Sequence, residues 1–257
     1  MFQNLTVLSA GKGGAGKSTV AAALGCAFAL RGQKTVLLDL NPLCGGASYY
    51  LGAGGSPYHL GDAAQDRCTL RDTIFPCEKM PELDIALPPR SAETLPTETT
   101  LLQWLTMLSE TYSQILVDTP FWSRCFAAAA PQANTTLLVS PANALHIACC
   151  DLLRTSAAGQ NMHNPRLVIN QFHRMEFYKA GEFPDLDAII DSAGLQLAAV
   201  VPADPNLQKH LVKTMQKTLE YKHLLFGQNG NGGAIAIHCL AERLLGQNTP
   251  LRNLEWL

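Results

Sequence analysis

The stretch SAGKGGAGKSTVAAALG, residues 9–25, decides the fold because it joins an apolar run to an alanine-rich one through a loop of glycines and lysines. Residues 11–18 satisfy the pattern G-x-x-x-x-G-K-[ST], which holds phosphate groups when a strand precedes it and a helix follows it. Backbone N–H groups would face the phosphate oxygens, Lys17 would reach the β- and γ-phosphates, and Ser18 would bind Mg²⁺. The alternative is a flexible turn whose residues match the pattern by coincidence.

Seven apolar runs of strand length lie along the chain, with segments that suit helices between them. The runs cover residues 5–10, 34–40, 83–89, 113–120, 134–141, 166–172 and 195–202. They are continuously hydrophobic rather than alternating, which is typical of strands that are buried on both faces of a parallel sheet. Helices are predicted over residues 18–33, 99–113, 144–159, 185–194 and 234–246.

The alternation of strands and helices predicts an α/β fold, with a doubly wound, mostly parallel sheet flanked by helices. Residues 45–66 and 90–100 are rich in Gly, Pro, Ser and Thr, so surface loops are predicted there. Residues 1–246 are predicted to form a single domain, and residues 247–257 a C-terminal tail.

Several motifs resemble those of the MinD/ParA group of ATPases, and most closely those of its MinD members. The segment GKGGAGKST, residues 11–19, is similar to the deviant Walker A motif K-G-G-x-G-K-[ST] of that group of P-loop NTPases. The segments KTVLLDLNP (34–42) and YSQILVDTP (112–120) resemble its switch I and switch II strands. The segments LVINQF (167–172) and LAAVVPADPNL (197–207) resemble two later motifs, so the resemblance covers about residues 3–225.

The resemblance implies an ATPase that uses ATP and Mg²⁺ and forms a homodimer around the nucleotide. Lys12 would cross to the phosphates bound by the partner subunit, because one ammonium per loop leaves the developing charge on the γ-phosphate poorly neutralised. Asp39 and Asp118 would serve the Mg²⁺ ion together with Ser18, and Asn170 would contact the adenine base. The implied cofactor-binding residues are Gly11, Gly13, Gly14, Ala15, Gly16, Lys17, Ser18, Thr19 and Asn170.

Each of these roles has a simpler alternative. Lys12 could be a solvated loop cation, and Asp39 and Asp118 could cap the turns that follow their strands. Asn170 could merely satisfy buried backbone groups.

The chain departs from the pattern of the group at Asn41, where an aspartate is expected to activate the attacking water. An asparagine can hydrogen-bond a water but cannot take its proton near neutral pH. Phosphoryl transfer depends mainly on positioning and charge stabilisation, so Asn41 predicts slow or partner-activated hydrolysis.

Composition limits the cellular locations and the kinds of binding partner that can be predicted for the chain. The chain has 257 residues and a formal charge of −2, without the basic excess that would favour nucleic acid, so DNA binding is the weaker hypothesis. The eight cysteines show no C-x-x-C spacing, which indicates reduced thiols. Neither a signal-peptide pattern nor an apolar run of ~18 residues is seen. These features predict a cytoplasmic protein, with any membrane contact peripheral at the inner face.

The tail presents an apolar stripe. Thr249 and Pro250 resemble a helix start, and Leu251, Leu254 and Leu257 would share one face beside Trp256. The tail carries one Arg and one Glu, so most of the attraction to anionic lipid is missing. Membrane anchoring, docking on the protein itself and docking on a partner stay open.

Phe121 and Trp122 directly follow the predicted switch II strand. They are interpreted as core residues, or as an apolar contact that is exposed when the segment moves for a partner protein.

The favoured function is a nucleotide switch that positions the division site or another cellular cargo, with a protein activator. The alternatives are an ATP-binding scaffold with negligible turnover and a ParA-type DNA segregation ATPase. An amidating synthetase is disfavoured, because no second, glutaminase domain is evident.

Overall fold

The computed structural model describes residues 1–42, 46–52, 57–225 and 232–251, except for the side chains of residues 208 and 219–225. Its centre is an eight-stranded sheet in the order β3-β4-β2-β5-β1-β6-β7-β8. The strands are β1 (Leu5–Ser9), β2 (Thr35–Asp39), β3 (Ile74–Cys77), β4 (Met80–Ala86), β5 (Gln114–Asp118), β6 (Thr135–Ser140), β7 (Pro165–Phe172) and β8 (Gln196–Pro202). Every neighbouring pair is parallel except β3 and β4, so the predicted doubly wound, mostly parallel sheet is confirmed.

Helices connect and cover the strands. They are α1 (Lys17–Ala29), α2 (Gly46–Tyr50), α3 (Leu60–Ala63), α4 (Glu98–Ser109), α5 (Arg124–Ala129), α6 (Ala144–Thr155), α7 (Arg174–Ala180), α8 (Leu186–Ala193), α9 (Pro205–Lys209), α10 (Leu211–Leu225) and α11 (Gly233–Leu244). Short 3-10 turns cover Leu70–Thr73, Ala92–Thr94 and Ala130–Gln132. All five helices predicted from the sequence are present, with shorter bounds.

The sheet separates two hydrophobic layers. Val36 and Leu38 of β2 pack in the layer that contains α4, α5 and α6, whereas Leu37 packs in the layer that contains α1 and α11. Successive side chains of a strand point to opposite faces, so a strand covered on both faces is apolar at every position. Helix α1 lies within its layer with residues 20–29 all buried, which explains why its sequence is apolar on every side.

The prediction of a surface loop over residues 45–66 is wrong, because α2 and α3 lie within it. The small residues there allow close packing: a Cβ atom at Gly46 would lie 2.2 Å from the Ser18 hydroxyl oxygen. At the start of α3, the His59 N–H donates to the Asp62 carboxylate over 2.9 Å, a capping contact that stabilises a short helix.

Strand β3 was not predicted from the sequence. It has only four residues, including Pro76, and a proline normally argues against a strand. It pairs antiparallel with β4 at the edge of the sheet, where a missing N–H donor is tolerated.

The described part of the tail is not helical. The Arg243 guanidinium donates to the Pro250 carbonyl over 3.0 Å, and the Thr249 hydroxyl donates to Glu242 over 3.0 Å. Leu251 is exposed, and the rest of the predicted apolar stripe lies outside the described residues. None of the described helices combines the length and apolar character needed to cross a bilayer.

Candidate functional site

The glycine loop joins the end of β1 to the start of α1, as the sequence predicts. Gly14 and Gly16 have φ values of 85° and 77°, in the left-handed region that favours glycine. A Cβ atom at Gly16 would also lie 2.3 Å from the amide nitrogen of Asn170. The loop therefore presents its backbone at the N-terminus of a 13-residue helix, a position with the N–H donors and the helix dipole that favour phosphate.

Lys17 is the loop's inward cation. Its side chain is only 10% exposed, and its ammonium forms an ion pair with the Asp118 carboxylate. The same ammonium donates to the Asn41 side-chain oxygen over 2.9 Å. Strand pairing places Asp39 directly opposite Asp118, so Lys17 meets the ends of two adjacent strands.

Asn41 connects the two carboxylates. Its amide nitrogen lies 3.1 Å from Asp39 Oδ1 and 2.7 Å from Asp118 Oδ2, and donates to both. The other Asp39 oxygen accepts from the backbone N–H and the hydroxyl of Ser48, over 3.0 and 3.1 Å. Ser48 was not anticipated from the sequence, because nothing in its surroundings there distinguishes it from the other small residues of the segment.

Burial raises the pKa of Asp118 above its usual value, and the neighbouring Asp39 carboxylate adds to the rise. The Lys17 ammonium and a hydrogen bond from Ser18 oppose it. The site therefore holds a desolvated carboxylate whose ionised form depends on a nearby cation.

The oxygen atoms of the site fit a hard cation. Ser18 lies near enough to Asp118 to oppose the rise in its pKa, and both are residues predicted to serve Mg²⁺. Asp39 lies beside them, with both of its oxygens already in hydrogen bonds. Within the described ranges, no group of three or more His, Cys, Asp or Glu side chains is arranged to hold a metal ion. Two carboxylates and a hydroxyl are a donor set that suits hydrated Mg²⁺ better than zinc.

Asn170 lies under the glycine loop. Its amide nitrogen donates to the Ala15 carbonyl over 2.9 Å, and its side chain is buried. It also lines a small pocket together with Thr19, Gln171, Pro202 and Asp204. The structure thus shows the backbone-satisfying role for Asn170, while contact with a nucleotide base stays a prediction.

Lys12 differs sharply from Lys17. It is exposed at the outer turn of the loop, and within the described part of the chain its ammonium has no hydrogen bond or ion pair. The remaining predicted loop residues, Gly11, Gly13 and Ala15, lie in the same loop, where Gly11 and Ala15 are buried and Gly13 is exposed.

Two residues that were not assigned to the loop contact it from outside. The Trp122 indole N–H donates to the Gly11 carbonyl over 3.3 Å, and a ring nitrogen of His146 lies 3.4 Å from the Gly13 carbonyl. Phe121 and Trp122 are 47% and 46% exposed, so their interpretation as core residues is wrong.

Known proteins resemble this chain in sequence and in fold. A family model described as CobQ/CobB/MinD/ParA nucleotide binding domain matches residues 6–255. The septum site-determining protein MinD of Bacillus subtilis is 24% identical over 254 residues, which cover 97% of this chain and 91% of that protein.

Solved structures support the same fold. In the MinC:MinD cell division protein complex of Aquifex aeolicus, the matching chain has 22% identity and a TM-score of 0.81, covering 97% of this chain and 98% of its own. MinD of Pyrococcus horikoshii complexed with Mg-ADP has 22% identity and a TM-score of 0.75, covering 94% and 95%. At these identities the solved structures show the fold alone.

Proposed function

Because the chain belongs to the CobQ/CobB/MinD/ParA nucleotide-binding family, whose MinD/ParA members are P-loop ATPases, we propose that it is an ATP-dependent dimerisation switch. Binding of ATP with Mg²⁺ joins two copies, and hydrolysis to ADP and phosphate separates them. The observation that carries the proposal is the contrast between the two lysines of one loop. Lys17 is enclosed and paired with Asp118, whereas Lys12 is exposed. An exposed ammonium is free to contact the phosphates of a second copy.

Different residues of the site are proposed to bind different parts of the nucleotide. The loop backbone from Gly11 to Gly16 and the Lys17 ammonium would bind the phosphates, and Ser18 and Asp118 would hold the metal ion. Bound Mg²⁺ supplies positive charge that neutralises the phosphate oxygens during transfer. Asp39 orients Asn41 and Ser48 around this centre, and Thr19 and Asn170 face the remainder of the nucleotide.

Turnover is proposed to be slow unless a protein partner assists it, because Asn41 cannot accept a proton from the attacking water. The partner is an activator or a cargo protein, which fits the solved complex of MinC with MinD. The output is spatial, and either the division site or another cellular cargo is positioned.

We propose a cytoplasmic location, since all seven described cysteines are free thiols, as expected in a reducing compartment. Any membrane contact is peripheral.

Light scattering tests the proposal with the whole chain at micromolar concentration. The wild-type mass should double with ATP and Mg²⁺ but not with ADP. Lys12→Ala should weaken this dimer while the monomer still binds a fluorescent ATP analogue. Lys179→Ala, which removes an exposed lysine of α7, is the matched control and should dimerise normally. Equal masses of the wild-type protein in ATP and in ADP would contradict the proposal.

A further inference from the structure

Trp122 adopts a backbone conformation that a bulky side chain rarely accepts. It follows β5, separated from Asp118 by Thr119, Pro120 and Phe121, and its φ is 55°. This left-handed region favours glycine, so an L-residue with a large side chain is strained there. Strain of this kind persists where surrounding contacts hold it, and it is concentrated at functional sites.

The contact that holds Trp122 is directed at the glycine loop. Its indole N–H donates to the Gly11 carbonyl over 3.3 Å, although the side chain is still 46% exposed. Because almost half of the side chain stays exposed, burial of the indole does not explain why the backbone adopts a strained conformation. The geometry instead directs the N–H group at one peptide of the loop.

Gly11 is also fixed from the other side. A Cβ atom at Gly11 would lie 2.5 Å from the Cys149 carbonyl oxygen and 2.5 Å from the Cys150 N–H nitrogen, so α6 packs directly against its Cα. On the far side of Lys12, His146 approaches the Gly13 carbonyl over 3.4 Å. The residues before and after Lys12 are therefore both held, while the Lys12 side chain is exposed.

We propose that Trp122 is a positioning residue for Lys12, an inference that rests on the proposed function. By fixing the Gly11 carbonyl, Trp122 limits the conformations of the peptide that carries Lys12 and presents its ammonium for the phosphates of the second copy. Preorganisation of this kind strengthens association, because less conformational freedom is lost when the two copies meet. Trp122 contacts neither nucleotide nor metal in this role, and acts through Lys12.

The first experiment separates the indole N–H from the rest of the side chain. Trp122→Phe keeps a large ring and the same backbone demand but removes the donor. Its ATP-driven dimer should dissociate with a constant that is roughly 3- to 10-fold higher, the loss expected for one neutral hydrogen bond. Affinity of the monomer for a fluorescent ATP analogue should stay unchanged. Phe121→Leu, at an equally exposed neighbouring position, is the control and should dimerise like the wild type.

The second experiment asks whether Trp122 acts through Lys12. In a double-variant cycle, Trp122→Phe should add nothing to the dimerisation defect of Lys12→Ala, because the group being positioned is gone. A purely structural role would instead add its full effect in both backgrounds. If Trp122→Phe fails to fold, Trp122→Gly, which tolerates the positive φ, should show the same defect and the same lack of additivity.

Two negative results are distinguishable. If the wild type dimerises with ATP and both Trp122 variants match it, or if their defects add fully to that of Lys12→Ala, then the positioning role is wrong and the switch stands. If the wild type binds ATP but stays monomeric, then the proposed function fails, and the positioning role fails with it.

Discussion

Asn41 is unfavourable for catalysis but favourable for the stability of the site. Sequence comparison with the MinD/ParA pattern shows only a missing base. The structure shows in addition that the amide donates to both Asp39 and Asp118 and accepts from Lys17. A carboxylate at this position could accept from Lys17, but it could not donate to either aspartate. The amide therefore allows two buried carboxylates to lie side by side.

Asn41→Asp should raise the rate of ATP hydrolysis at saturating Mg²⁺, by about 10²-fold or less, because a loose transition state needs little base assistance. Without Mg²⁺ and nucleotide, the same substitution should lower the melting temperature, since two hydrogen bonds are replaced by repulsion between carboxylates. Single-turnover phosphate release and thermal unfolding measure the two effects. A variant that dimerises normally yet hydrolyses no faster would show that Asn41 does not limit turnover.

Lys17→Ala should abolish useful ATP affinity and also destabilise the protein in a pH-dependent way. The pKa of Asp118 already lies above its usual value of 3.8, and Lys17 opposes that rise. Without Lys17 the pKa rises further, so stability is lost as the pH increases through the new folded-state pKa and is regained below 3.8. Leaving this carboxylate unpaired should cost about 3–5 kcal/mol at neutral pH.

Urea unfolding of Lys17→Ala at pH 7 and at pH 5 measures whether the loss of stability depends on pH, with Lys12→Ala as the control. Lys12 is exposed and unpaired in the described structure, so its removal should leave the free energy of unfolding unchanged at both pH values. An equal loss for Lys17→Ala at both pH values would contradict the role assigned to Asp118.

Among the structural elements, helix α6 is tied most closely to the glycine loop, because Gly11 packs directly on its backbone at Cys149 and Cys150. Gly11→Ala should therefore force the loop and α6 apart, lowering the free energy of unfolding by about 1–3 kcal/mol. Gly13→Ala is the matched control, since a Cβ there meets no atom within 4 Å, and it should unfold like the wild type. Chemical denaturation of both variants measures the difference. Equal stability would mean that the close contact of Gly11 is easily relieved.

The elements also show what the sequence could predict. The core strands and α1 were predictable, because a strand or helix buried on all sides is mostly apolar, as in residues 36–38 and 20–29. Helix α2 was not, because Gly46 allows close packing against Ser18, and a glycine of that kind looks like a loop residue in the sequence. The strained Trp122 was not predictable either, since its conformation depends on a carbonyl 111 positions away in the chain.

At the scale of the whole molecule, strand order brings the site together. Lys17, Asp39 and Asp118 are far apart in the sequence, yet β1, β5 and β2 are neighbours in the sheet and run parallel. The carboxyl ends of parallel strands meet at one edge of the sheet. Because each of these motifs follows or ends a strand, its place at that edge could be predicted from the sequence. The hydrogen bonds between the motifs, such as those of Asn41 and Ser48, depend on register and loop path, which the sequence does not show.

One continuous sheet predicts that residues 1–246 unfold as one cooperative unit. Differential scanning calorimetry should show a single transition whose calorimetric and van't Hoff enthalpies agree. Two separable transitions would contradict the assignment of a single domain.

Strand β3 carries a further consequence. An open sheet edge invites another chain to add a strand, and repeated addition yields fibres of unlimited length. Here a four-residue strand with Pro76 lies outside β4 and offers a poor template for such growth. The association that we propose is of the opposite kind: its interface is fully used once two copies have met, so it ends at a pair. The edge at β3 is therefore poorly suited to open-ended growth, which is compatible with the closed pair of the proposed function.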